Sequence, residues 1–150
     1  MAPRRCVIGV GSPHGDDQIG WMIADAVLLL AADVCHVYKV ASPLEILDRI
    51  DGTEWLGICD ACRGAGSVGD WKSWAWPDQQ IISQEFSGSH GIGLPATLDL
   101  ATRLGRLPET TMIWGVEIGD CHPGDAVSAS ASAAIPVIAN AILRELMLAR

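Results

Sequence analysis

The chain has 150 residues, a length that suits one domain with a substantial core. Of these, 49% are hydrophobic and only 19% charged, which excludes a disordered chain. A formal net charge of -8 argues against nucleic acid or an anionic membrane surface as a partner.

The opening residues Met1-Ala-Pro-Arg-Arg-Cys6 carry two arginines, but the apolar run after them stops at Gly9. A secretory apolar region needs roughly 7–15 residues. No stretch approaches the ~20 apolar residues of a membrane span, since Asp25 and Asp33 bracket the longest candidate, 26–32. These features predict a cytoplasmic protein, and five cysteines without small-scaffold spacing fit reduced thiols there.

Residues 5–11 predict a first strand, a continuous apolar run bounded by glycine. From Asp17 to about Ala32, Ile19, Met22, Ile23, Ala26, Val27 and Leu30 recur at helical spacing. Residues 34–40 predict a second strand, and Pro43 opens a short helix through Ile50. Residues 54–60 predict a third strand ending on Asp60, followed by a glycine-rich turn over 61–70. Trp71, Trp74 and Trp76 sit on an extended segment ending at Pro77; Gln80–Gln84 is a further strand candidate. The three tryptophans either pack or form an aromatic rim for a partner. Ser87–Gly93 is a loop presenting His90. A helix follows, with Leu94, Leu98, Ala101 and Leu104 on its apolar side and Gly105 closing it. Thr110–Val116 predicts a late strand and 117–125 a polar loop. The final helix, 128–148, carries Ile135, Ile138, Ile142 and Leu146 as its stripe, with Pro136 near its start. This alternation predicts a single α/β domain over 1–150: a twisted, mostly parallel five-stranded sheet with helices on both faces.

Asp16 and Asp17, Asp60 and His90 fall after predicted strands or on a loop before a helix. In a parallel sheet the strand carboxyl ends share one edge, so these distant residues can converge there. Two carboxylates and an imidazole suit a borderline divalent metal, and an incomplete ligand set leaves room for a substrate atom or water. Each residue also has a plainer reading, as a helix-start carboxylate, a strand-end turn former or a solvated histidine.

The turn Gly9-Val-Gly-Ser-Pro-His-Gly15 reads GxGxxxG, not GxGxxG, and its aspartates would repel a pyrophosphate. The chain has no Walker lysine, no GxSxG and no HExxH. Cys59-Asp-Ala-Cys62 is a CxxC, but at the end of a strand, without the helix N-terminus that activates such a thiol.

In order, Gly9-x-Gly-Ser-x-x-x-Asp-Asp-x-x-Gly20, Cys59-Asp-Ala61, Ser89-His90 and Ile113-Trp-Gly-Val-Glu117 resemble the motifs of the [NiFe]-hydrogenase maturation endopeptidases over nearly the whole chain. The resemblance implies a twisted five-stranded sheet between helices. It implies removal of a C-terminal extension from the hydrogenase large-subunit precursor after nickel insertion. Carried over by position, the catalytic and metal residues are Asp17, Asp60 and His90. The implied metal is the substrate's own nickel, with zinc or cadmium able to replace it on isolation, and the expected form is a monomer. This chain departs from the common pattern in three places. The first motif is one residue shorter, with Ser12 in place of Asn; Asp17 stands where many members have Glu; and Lys39 stands where many have Asp. Two other readings remain open from the residues: a non-catalytic factor that binds the same metal centre, and a thiol–disulfide protein using Cys59 and Cys62.

Overall fold

The computed structural model describes residues 4–64, 66–83, 85–86, 92–119 and 121–149, with the side chains of 82 and 83 left aside. The elements run β1 (Arg5–Val10), α1 (Ile19–Ala31), β2 (His36–Val40), β3 (Trp55–Arg63), β4 (Trp71–Ala75), α2 (Gln79–Ser83), β5 (Glu85–Phe86), α3 (Leu94–Arg103), β6 (Thr110–Glu117) and α4 (Ala129–Leu148). Short 3-10 turns occupy Gly15–Gln18 and Pro43–Asp48.

Five strands lie in the order β2-β1-β3-β6-β4, as the expected five-stranded sheet requires, and the two-residue β5 joins beside β3 as a sixth. The β1–β2, β1–β3 and β3–β6 pairs are parallel, whereas β4 and β5 run antiparallel to β6 and β3. The central strands are buried on both faces, which is why they read as unbroken apolar runs. One core lies under α1 and α4 and includes Val7, Ile23, Val27, Trp114, Ile138 and Ile142. The other lies under α2, α3 and the Pro43–Asp48 turn, with Ile8, Ile58, Ile81, Leu94 and Leu98.

Two glycines set how closely α1 meets the sheet. A Cβ on Gly9 would stand 2.2 Å from the Gly20 carbonyl oxygen, and one on Gly20 only 2.0 Å from that of Val10. The first turn of α1 therefore lies almost on the backbone of β1. At the far end of α3, Gly105 at φ +67 closes a Schellman motif: its N–H bonds the Thr102 carbonyl and that of Arg106 the Ala101 carbonyl.

Several expectations are corrected. The strand expected over Gln80–Gln84 gives way to α2 as far as Ser83, with Gln84 outside the described residues: Asp78 accepts from the Gln80 N–H at 2.8 Å and starts the helix. β3 does not end at Asp60 but runs on through Ala61 and Cys62 to Arg63. On α1 the buried side is Ile19, Ile23, Ala24, Val27 and Ala31; Leu30 faces solvent and Met22 and Ala26 are half-buried. Leu104 is exposed, beyond the last turn of α3. On α4 the small residues Ala131, Ala134 and Ala139 join Ile138, Ile142 and Leu146 in the core, and Ile135 is only half-buried. By length and composition α4 is apolar enough to cross a membrane, contrary to the expectation that no segment approaches that limit. Trp74 packs edge-on against Phe86, and Trp71 and Trp76 lie half-buried against the two cores, so the tryptophans form no exposed rim.

Candidate active site

The sheet order reverses between β1 and β3: the chain leaves β1 toward β2 on one side and returns to β3 on the other. At such a switch point the connections diverge and leave a crevice at the carboxyl ends, where ligands bind in open α/β sheets. The loop after β1 and the upper part of β3 border this crevice.

Asp17 lies in the 3-10 turn Gly15–Gln18, half-buried, in the loop that leaves β1. The turn is held by its own backbone: the Asp17 N–H donates to the His14 carbonyl at 3.0 Å, and the Asp17 carbonyl accepts from the Ser12 N–H at 3.0 Å. Gly11 and Trp21 both donate to the Val40 carbonyl, at 3.1 and 2.8 Å, tying this loop to the end of β2. Gly11 is required there, because a Cβ would meet the Asp17 carbonyl at 2.8 Å.

Asp16, its neighbour, has a different task. Its carboxylate accepts from the Ser128 N–H at 2.6 Å and the Ser128 hydroxyl at 2.9 Å, and Gly15 donates to the Asp125 carbonyl at 3.0 Å. Ser128 in turn caps α4 through the Ala131 N–H. The negative charge sits at the positive end of α4, so Asp16 clamps the first loop to the last helix. The sequence placed Asp16 at a helix start; it does not reveal that the helix it serves is α4, 112 residues on.

Asp60 is fully buried within β3, one residue beyond Cys59, which pairs with Gly9. It therefore stands at the level where β1 ends. Its partner across β6 is Gly115, and the alternation of the strand puts it on the α3 side with Ile58 and Cys62. On the same edge β5 pairs with β3 at Cys62 and Arg63. Because β6 already occupies one side of Cys62, β5 lies on the β1 side, and its register runs from Arg63 back toward the Asp60 level. His90 lies outside the described residues, so the geometry of Asp17, Asp60 and His90 together is not described. Among the described residues no three His, Cys, Asp or Glu side chains come together as a metal-holding group.

The CxxC does not form a redox pair. Cys59 and Cys62 both lie in β3 and, three residues apart, face opposite sides of the sheet, Cys59 toward α1 and Cys62 toward α3. Three strand residues span about 10 Å, beyond the ~7 Å between Cα atoms that a disulfide tolerates. Burial, then the negative charges of Glu117 and Asp60, push the Cys62 thiol up to about 12, with Lys72 opposing. Burial, then Asp60, raises Cys59 further. Neither is a reactive thiolate.

No protein-family model and no curated protein matches the sequence. Solved structures do match. The hydrogenase maturating endopeptidase HybD from E. coli aligns at a TM-score of 0.80 and 21% identity, covering 96% of this chain and 92% of that one. The [NiFe] hydrogenase maturation protease HybD from Thermococcus kodakarensis aligns at 0.72 and 19% identity, covering 95% and 99%. A hydrogenase 2 maturation peptidase from a Thaumarchaeota archaeon aligns at 0.66 and 22% identity, covering 97% and 99%. At these identities the likeness is one of fold. The chain has the fold of the hydrogenase maturation endopeptidases over almost its full length.

Proposed function

We propose that the protein is a hydrogenase maturation endopeptidase, one that removes the C-terminal extension of a [NiFe]-hydrogenase large-subunit precursor once nickel is in place. The observation that carries the reading is the end-to-end likeness to three such enzymes, combined with Asp17 and Asp60 bordering one crevice at the switch point.

In this reading Asp17, Asp60 and His90 engage the nickel that the precursor brings, so the metal is part of the substrate. Two carboxylates and an imidazole suit a borderline divalent ion, and three protein ligands leave positions for the precursor's own groups. A metal shared in this way reports that insertion is complete and orients the scissile peptide. Bound there, the ion supplies polarisation of a carbonyl or of a water. The backbone at Asp17 is held by the bonds of its 3-10 turn and that at Asp60 by the strand around it, so the main chain that carries them needs no ordering when substrate arrives. The protein acts in the cytoplasm as a monomer, without nucleic acid or membrane.

The test is mass spectrometry of a nickel-loaded precursor before and after incubation with the protein. Loss of a C-terminal peptide is expected; a cognate precursor that is bound but stays intact refutes the enzyme and favours a non-catalytic maturation factor.

A further inference from the structure

Glu117 is a further buried carboxylate at this edge, besides Asp16 and Asp60, 8% exposed at the last position of β6. It pairs with Cys62, while Gly115 pairs with Asp60. Residues paired across strands share a face, as do residues two apart on one strand. Asp60, Cys62 and Glu117 therefore stand together on the α3 side, and Asp60 and Glu117 are diagonal neighbours about 7–8 Å apart.

Glu117 also holds the backbone that follows β3. Its Oε1 accepts from the Gly64 N–H at 3.1 Å, its own N–H donates to the Asp70 carbonyl at 2.8 Å, and its carbonyl accepts from Gly69 at 2.9 Å. One residue thus fixes both ends of the glycine-rich connection leaving β3. A cation held at one carboxylate also gains from a second negative charge nearby. Lys72, which pairs with Gly115 and is exposed on β4, is a cation of this face.

We infer that Glu117 is a positioning residue for Asp60: it anchors the end of β3 and adds negative charge beside Asp60, tightening the hold on a divalent metal. This rests on the proposed metal role of Asp60. Outer-shell partners of this kind typically account for about 10–100-fold in metal affinity.

Ni²⁺ titrations of the full chain by calorimetry test it, comparing wild type with Asp60→Asn and Glu117→Gln, which keeps an acceptor for Gly64 but loses the charge. Expected are loss of binding in Asp60→Asn and a 10–100-fold weaker Kd in Glu117→Gln at an unchanged Tm. Wild-type chain that ignores Ni²⁺, or Asp60→Asn that binds as wild type, overturns the metal role of Asp60 and this inference with it. Loss in Asp60→Asn with wild-type affinity in Glu117→Gln overturns this inference alone. If Glu117→Gln does not fold, ¹⁵N-labelled wild type titrated with Zn²⁺ decides. The Gly64 amide should shift in step with that of Asp60, and a Gly64 amide that stays still while Asp60 moves overturns the coupling.

Discussion

Replacing Gly20 by alanine tests the contact that sets the first loop against the sheet. The new Cβ would lie 2.0 Å from the Val10 carbonyl oxygen and 2.8 Å from that of Cys59. Ordinary carbon contacts begin near about 3.5 Å. Both obstacles are backbone of central strands, so α1 must retreat by more than about 1 Å, loosening Ile19, Ile23 and Val27 from the core. Overpacking of this kind costs about 1–3 kcal/mol, and an immovable obstacle puts the cost at the upper end. Alanine's better helix propensity returns about 1 kcal/mol, leaving a net loss of about 2 kcal/mol. At this chain length that lowers Tm by about 4–8 °C. Urea unfolding of Gly20→Ala measures it directly. Gly9→Ala presses on the same helix turn from the other side, at 2.2 Å from the Gly20 carbonyl oxygen, so the double variant should lose less than the sum of the singles. A Gly20→Ala protein as stable as wild type, or strictly additive losses, would refute the close approach of α1 to β1.

Asp16→Ala removes two hydrogen bonds to Ser128 and should cost about 1–3 kcal/mol in chemical unfolding; a change below about 0.5 kcal/mol would mean that the clamp does not stabilise the fold. Asp17→Asn and His90→Ala should each abolish precursor cleavage in a gel assay while the circular dichroism spectrum stays native, and normal cleavage by either removes that residue from the proposed site. In native protein at pH 8, a thiol reagent should modify Cys121 alone quickly, since Cys6, Cys35, Cys59 and Cys62 are buried; mild oxidation should form no Cys59–Cys62 bond. The Cys6 and Cys62 thiols, pushed up to about 12 chiefly by burial, keep their protons in the folded chain at pH values where the unfolded chain loses them. Their contribution is complete below about pH 9 and declines between pH 9 and 12, so urea midpoints should fall over that window. Midpoints that are flat to pH 11 would contradict it.

The strands were legible because both faces of the sheet are covered: Cys6–Val10 and Met112–Val116 are runs without a polar side chain. The same rule misplaced the end of β3, since a carboxylate after Leu56-Gly-Ile-Cys59 reads as a terminus although the strand continues around a buried Asp60. Ile81 and Ile82 suggested a strand, but the Asp78 cap one turn earlier decides for a helix. On α1 and α4 the apolar residues surround the helix, so periodicity does not choose a face. The sheet instead buries small residues such as Ala24, Ala131 and Ala139, which a search for large side chains passes over. The positions of Asp17 and Asp60 at one edge followed from strand order in the sequence, whereas the pairing of Glu117 with Cys62 needed the register.

The Asp16–Ser128 clamp has a consequence in time. The ribosome delivers the glycine turn early, but the anchor that fixes it emerges 112 residues later, at the start of α4. A nascent chain that already holds Asp17 and Asp60 still lacks that anchor. The first loop therefore reaches its final shape only when the last helix arrives, and a half-made chain has an incomplete crevice.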